Sequence, residues 1–237
     1  EEVAEPQLRK GGVLIDVAFI GIQGGDLLHR QGGALATTPH IVGYQCSGII
    51  REVGDGVTQF EKGQPVVATM AYGSHAEVVS VATASVWALP DGVSLQQGAG
   101  VPIEFGTAHD CLFEFGRLKA GESVLIQAGA GGVGLAAIQL AKAAGATVFA
   151  TASSDDRLAR LKDYGLDHAI NYAQVDTAKA IMDITGGKGV DVVLDCTAGA
   201  GTSPIMLGIE ALKRKAGRIV VQGEMPQFPN FPIGKMT

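Results

Sequence analysis

Between Val124 and Ser154 the chain reads VLIQAGAGGVGLAAIQLAKAAGATVFATASS: an apolar run, a glycine turn, a helical stretch and a second apolar run. Two short β-type runs separated by a helix predict a βαβ unit, and therefore a parallel sheet. Gly129, Gly131 and Gly134 in GAGGVG fit G-x-G-x-x-G where strand gives way to helix. In such a turn the first glycine permits the sharp bend. The second removes a Cβ that would block a pyrophosphate, and the third lets the helix pack closely on the strand. The helix N-terminus then offers N–H groups and a positive dipole end to the phosphates. Gly129, Ala130, Gly131, Gly132, Val133 and Gly134 are accordingly the expected dinucleotide contacts. No Gly-Lys-Ser/Thr follows, which excludes a nucleoside-triphosphate P-loop. Val133, Ala137, Leu140 and Ala144 recur at helical spacing, and Gly145 stands where the helix should end.

The end of the second strand bears on which dinucleotide is held. An NAD site wants a carboxylate there for the ribose 2′-hydroxyl. This chain has Ser153, then Ser154, Asp155, Asp156 and Arg157. A neutral serine with a nearby arginine suits the 2′-phosphate of NADPH. The two acids fit a different role, in the first turn of a helix capped by Ser154.

The rest of the chain divides by texture near Phe105. Residues 1–105 hold short, glycine-broken β-rich segments such as GGVLIDVAFIGI, GYQCSGIIREVGDGV and QPVVATMAYGSHAEVVSV, which suggest a small barrel or sandwich. Asp55-Gly56 predicts a turn between strands. Residues 106–237 alternate strands (SVLIQAG, TVFATA, HAINY, VDVVLDC, GRIVVQG) with helices (GLAAIQLAKAAG, DDRLARLKDYG), the signature of a doubly wound α/β domain.

Composition narrows the function classes. With 46% hydrophobic and 18% charged residues the chain is a folded one. A net charge of −6 without blocks of like charge argues against nucleic acid, which needs a basic face, and against a polybasic membrane anchor. No apolar run reaches membrane-spanning length, and no signal peptide is visible. Cys46, Cys111 and Cys196 form no CxxC pair, so neither a disulfide framework nor a cysteine-rich zinc site is expected, and a reducing cytoplasm is the expected location. The opening EEVAEPQ lacks Met, so the natural N-terminus is expected to lie elsewhere.

The segments VGDGVTQFEKGQPV, HAEVVSV, ALPDGVSLQQGAGVP, GTAHDCLFEFGRLKAGESVLIQAGAGGVGLAAIQLAKAAGA, LDHAINY and GKGVDVVLDCTAG together resemble the medium-chain dehydrogenase/reductase superfamily, in particular its zinc-free quinone oxidoreductase (ζ-crystallin-like) branch. Fused enoyl reductases of polyketide synthases share much of the pattern. The resemblance implies a GroES-like catalytic domain and a Rossmann domain, and hydride transfer from NADPH to a quinone or an activated C=C. It places Ser153, Arg157 and Tyr172 at the 2′-phosphate and Thr107 near the nicotinamide. Zinc members carry Cys, His and Glu ligands; here Gln23 stands at the Cys position and Gly43-Tyr44-Gln45 replaces Gly-His-Glu, so no catalytic metal is expected. Tyr44, in the place of a residue that faces the active site in zinc relatives, becomes the first candidate for proton donor, and Gln23 a partner for the nicotinamide or a substrate carbonyl. Tyr72 and His75 are expected on a strand and to be structural. His29, His40, His109 and His168 show no metal-ligand spacing. Lys188 and Asp191 resemble a lysine–aspartate region of enoyl reductases, with Lys188 read first as a solvated loop residue.

Quinone reductases commonly have Asn-Pro where this chain has Gln23-Gly24, and Tyr where it has Leu28, so the substrate-side polar set is altered. The family also continues past GRIVVQGEM, with a strand used for homodimerisation, so the chain is expected to be a fragment or a short form. Three readings stay open: a quinone or enone reductase, an enoyl-thioester reductase, and a non-catalytic NADPH-binding protein of crystallin or vesicle-associated type.

Overall fold

A computed structural model describes residues 2–32, 37–197 and 203–222. They form two compact units that divide between Ile103 and Glu104.

The first unit is built on five strands: β1 (Gly12–Ile20), β2 (Gln45–Val53), β3 (Pro65–Thr69), β4 (Val78–Ala82) and β5 (Val86–Ala88). They pair antiparallel in the order β4-β1-β2-β3-β5. Val13, Ile15, Cys46, Ile50, Val66, Ala68, Val79 and Val81 form its core. The Asp55-Gly56 turn is present after β2, with Gly56 at φ 82°. Tyr72 and His75 lie in the bend before β4 and not on a strand. A polar, glycine-punctuated stretch, Tyr72-Gly73-Ser74, interrupts the strand periodicity there.

Helices α1 (Gly24–Gly32), α2 (Leu95–Gly98) and α3 (Pro102–His109) fall where the sequence reading placed no helix. Glycines at both ends hid α1, because glycine is a poor helix former. It starts nonetheless because Asp26 reaches back to accept the Gln23 N–H at 2.7 Å.

In the second unit the five expected strands are all present: β6 (Ser123–Gln127), β7 (Thr147–Ala152), β8 (His168–Asn171), β9 (Val192–Asp195) and β10 (Arg218–Val221). They are parallel in the order β10-β9-β6-β7-β8. Helices α4 (Gly132–Ala143), α5 (Asp155–Leu161), α6 (Thr177–Ile184) and α7 (Ser203–Ala211) connect them. Both faces of the sheet are apolar. Val124, Ile126, Val148, Ala150, Val192 and Leu194 pack one way with Ile138, Ala141, Leu158 and Leu161. Leu125, Phe149, Val193 and Ile170 pack the other way with Ile181 and Ala211. Alternating side chains thus feed two cores, the reason these strands read as continuous apolar runs.

The buried residues of α4 are Gly134, Ala136, Ala137, Ile138 and Ala141, while Val133, Leu140 and Ala144 are half-buried flanks. The helix seats its smallest residues on the sheet, so spacing alone selected a face that is rotated from the true one. Gly145, at φ 80°, follows the C-cap Ala144 as expected. Beyond Gln222 the course of the chain, including the end of GRIVVQGEM, lies outside the described residues.

The lower end of the second sheet is pinned by ion pairs. Arg218 donates from Nε to Gly116 O and pairs with Glu122, both at 2.6 Å. Asp191 accepts from Ser123 N and Oγ at 2.8 and 2.9 Å and from Lys213 Nζ at 2.5 Å. Burial works to raise the Asp191 pKa, but those donors outweigh it and hold the carboxyl below its ordinary range. Asp191 is therefore a structural anchor at the start of β9, and Lys188 is an exposed loop residue.

Candidate functional site

Strand β6 is central; β7 and β8 lie on one side of it and β9 and β10 on the other. In such sheets ligands bind beyond the carboxyl ends of the strands, where the winding reverses. Here the reversal lies between β6 and β9, where Gln127 pairs in register with Asp195. A cavity of about 580 Å³ opens at that end. Its walls come from four loops: Ala128, Ala130 and Gly131 after β6; Ser153 and Arg157 after β7; Tyr172, Val175 and Asp176 after β8; Thr197 and Pro204 after β9.

The glycine turn is built differently from its sequence reading. The left-handed residue is Ala128, at φ 56°, and Gly129 has no positive φ. Thr151 holds the turn, its carbonyl accepting from Gly129 N at 2.9 Å and its hydroxyl accepting from Ala128 N at 3.3 Å. Gly129 instead permits close packing: a Cβ there would lie 2.7 Å from Ala150 Cβ. At Gly134 a Cβ would lie 2.4 Å from Ala128 O and 2.8 Å from Gly129 Cα, so α4 could not approach the turn. At Gly131 a Cβ would meet just one atom within 4 Å, Ala128 O at 3.3 Å. Its glycine leaves open the side that faces the cavity. Gly131 is also the N-cap of α4, without a side-chain cap. The first-turn N–H groups are thereby left to a ligand's oxygens. These features fit a dinucleotide pyrophosphate.

Of the residues expected to contact the dinucleotide, Ala130, Gly131, Ser153, Arg157 and Tyr172 line this cavity. Gly129, Gly132, Val133, Gly134 and Ser154 do not, and they shape the turn and helices behind it. Ser154 caps α5, accepting the Arg157 N–H at 3.4 Å. Among the described residues no carboxylate forms an ion pair with the Arg157 side chain. The acid on the wall, Asp176, caps α6 by accepting Lys179 N at 2.9 Å. Thr107 lies half-buried on α3 and is not part of this cavity. Gln127, Thr151, Val175 and Thr197 were missed from the sequence; the signal that could have found Gln127, Thr151 and Thr197 is their place at or just past strand ends, whereas Val175 lies in the loop after β8.

Tyr44 and Gln23 belong to the first unit. Tyr44 stands one residue before β2 with its hydroxyl 3.3 Å from His29 Nε2. The His29 ring lies 5.5 Å from His40 and from Tyr44, and His40 lies 5.4 Å from Tyr72. Spacing did not reveal this grouping, because α1 folds His29 back onto the entry to β2. Asp26 is 2% exposed and faces His75, whose Nε2 is 3.6 Å from Oδ2. Gln45 is fully buried, its Oε1 accepting from Ile103 N at 2.9 Å, which makes it a core amide. Among the described residues no His/Cys/Asp/Glu group has metal-site geometry. Burial pushes the Cys46 thiol up to about 12, as suits a small core residue and not a nucleophile. Elemental analysis of the purified protein is expected to find no stoichiometric zinc; one tightly held zinc per chain would contradict the ligand reading of Gln23, Tyr44 and Gln45.

Comparison with known proteins places both units. The profile of the "Alcohol dehydrogenase GroES-like domain" family matches residues 9–91, and that of "Zinc-binding dehydrogenase" matches residues 132–237. A highly reducing polyketide synthase of Didymella fabae is 39% identical over 201 residues, 84% of this chain and 10% of that protein. The synaptic vesicle membrane protein VAT-1 homolog of Danio rerio is 37% identical over 201 residues, 84% of this chain and 41% of that protein. The chain thus spans well under two thirds of these curated relatives. Among solved structures, CurK enoyl reductase superposes with a TM-score of 0.87 at 31% identity, covering 97% of this chain and 70% of that one. Escherichia coli quinone oxidoreductase complexed with NADPH gives 0.87 at 28% identity, covering 97% and 71%. With the glycine turn at the head of a Rossmann sheet and the GroES-like strands before it, the chain belongs to the medium-chain dehydrogenase/reductase family and carries the residue pattern of its zinc-free members.

Proposed function

We propose that this protein is an NADPH-dependent oxidoreductase that reduces a quinone or an α,β-unsaturated carbonyl. The observation that carries the cofactor reading is that Ser153 and Arg157, after β7, and Tyr172, after β8, line the same cavity. The residue that follows β7, where an NAD site carries its carboxylate for the ribose 2′-hydroxyl, is Ser153, and the Arg157 guanidinium stands nearby to pair with a 2′-phosphate. Gly131 and the first turn of α4 would hold the pyrophosphate. The reduced nicotinamide, when bound, supplies the hydride. The likeness to a quinone oxidoreductase complexed with NADPH supports both halves of the reading.

An enoyl-thioester reductase is the second reading, favoured by the likeness to CurK enoyl reductase and to a polyketide synthase. NADPH oxidation, followed with a panel of quinones, enones and an enoyl thioester, separates the two. Tight NADPH binding with no turnover on any of them would point to a non-catalytic dinucleotide-binding protein.

Tyr44 is proposed to donate the proton that follows hydride transfer, with His29 as its hydrogen-bond partner. An enone carbon must be protonated, whereas a reduced quinone oxygen can draw its proton from water. Tyr44→Phe is therefore expected to lower kcat on an enone by about 10²–10⁴-fold, the usual worth of a positioned acid. The effect on a quinone should be much smaller. Equal losses on both substrates would remove Tyr44 from proton transfer.

A further inference from the structure

Two acids, Asp155 and Asp156, open α5 beside the proposed 2′-phosphate position, where negative charge should be unwelcome. The side-chain contacts of Asp155 explain its presence. Its Oδ1 accepts from Asn171 Nδ2 at 2.8 Å and its Oδ2 accepts from Gln174 Nε2 at 3.1 Å. Both carboxylate oxygens are therefore engaged by the loop that follows β8. Those two amide donors hold the Asp155 carboxyl below its ordinary pKa range.

That loop is a closed turn centred on Asn171. The Asn171 carbonyl accepts from Gln174 N at 3.0 Å and Val175 N at 3.1 Å, while its side-chain Oδ1 accepts from Ala173 N at 3.1 Å. Asn171 is 8% exposed and anchors the turn to the end of β8. Asp155 grips it at both ends, and Tyr172 lies between the grip points, 54% exposed. Tyr172 and Val175 form one wall of the cavity; Arg157, one helical half-turn beyond Asp155, stands on the next. The backbone adds one tie between these walls, from Tyr172 N to Ala152 O at 3.2 Å.

We propose that Asp155 is a positioning residue that ties the Tyr172 loop to α5 and thereby fixes the outer wall of the dinucleotide cavity, without itself recognising the cofactor. The proposal rests on the reading that this cavity takes a dinucleotide. It makes a prediction opposite in sign to a purely electrostatic role. If Asp155 acted through charge, removing it would relieve repulsion of a 2′-phosphate and tighten NADPH while leaving NADH alone. If it acts as a clamp, removing it loosens the wall that both dinucleotides need.

The test uses the full chain and dissociation constants for NADPH and NADH from nicotinamide fluorescence. Asp155→Ala is expected to weaken both, NADPH by about three- to tenfold and NADH by no more than that, because the loosened wall carries Tyr172. Gln174→Leu, which cuts one arm of the clamp, should weaken both by a smaller factor. In the double variant the losses should not add, because the second change removes a contact already gone. Tighter NADPH binding by Asp155→Ala, unchanged NADH binding, or strictly additive losses would overturn the clamp. Should Asp155→Ala fail to fold, Gln174→Leu decides alone: unchanged constants for both dinucleotides would also overturn it. Equal affinity of the wild-type protein for NADPH and NADH would count against the 2′-phosphate reading and not against the clamp, which acts on both cofactors.

Discussion

Replacing Arg157 by Ala is expected to weaken NADPH binding by roughly ten- to hundredfold and to leave NADH binding almost unchanged. A hydrogen bond to a charged group contributes about 1.5–3 kcal/mol, and each 1.4 kcal/mol is tenfold in affinity. Arg157 lines the cavity beside Ser153 and Tyr172, and among the described residues no acid forms an ion pair with it. Its charge is thus available to a ligand. Ser153→Asp should go further and reverse the preference. Ser153 is exposed at the end of β7, where a carboxylate would repel the 2′-phosphate and accept the 2′-hydroxyl of NADH. Four dissociation constants for each variant pair, measured by nicotinamide fluorescence, decide the matter. Equal weakening of both dinucleotides by Arg157→Ala would show that the arginine supports α5 and not the phosphate.

The two glycines at the head of α4 are expected to separate under substitution by Ala. At Gly134 the new Cβ would lie 2.4 Å from Ala128 O and 2.8 Å from Gly129 Cα. Both are backbone atoms of a turn fixed by Thr151, so neither can swing aside and the helix must shift. Overpacking of this kind costs about 1–3 kcal/mol, set against up to about 1 kcal/mol gained from alanine's helix propensity. The backbone clash should win, and the melting temperature should fall by several degrees. At Gly131 the added methyl meets a single atom at 3.3 Å, and exchanging an N-cap glycine for alanine costs no more than about 1 kcal/mol. The fold should therefore survive. Dinucleotide affinity should drop at least tenfold, because the methyl stands on the cavity side where the pyrophosphate would approach. Thermal melting and NADPH titration on the same two proteins check both halves. A stable Gly134→Ala, or a Gly131→Ala that binds NADPH normally, would show that the turn is used differently.

How much was legible in advance depends on the distance along the chain over which each feature is determined. The five strands of the second unit could be read because each is a short apolar run whose alternate residues serve two cores, and that pattern is local. The glycine turn was legible for the same reason, since strand, turn and helix occupy one continuous stretch. Even so, the assignment of tasks within it was not. The left-handed bend sits on Ala128 and Gly129 is a packing position, a choice made by Thr151 and Ala150 on the neighbouring strand. The buried stripe of α4 was likewise decided by how its small residues seat on the sheet.

Sequence alone established a Rossmann-type βαβ unit, a G-x-G-x-x-G turn between its first strand and helix, and a serine and not an acid at the end of its second strand. Those properties reside in residues close together in the chain, where backbone sterics and side-chain periodicity act directly. Tertiary structure decided the rest. It placed β9 beside β6 and so brought Thr197 and Pro204 to the same cavity as Gly131. It folded His29 against Tyr44, and His40 against His29 and Tyr72. It also turned Asp155 onto Asn171 and Gln174, 16 and 19 residues further on. Contacts of that kind depend on sheet order and on the packing of whole elements, and no local pattern encodes which side chains will meet once those elements are in place.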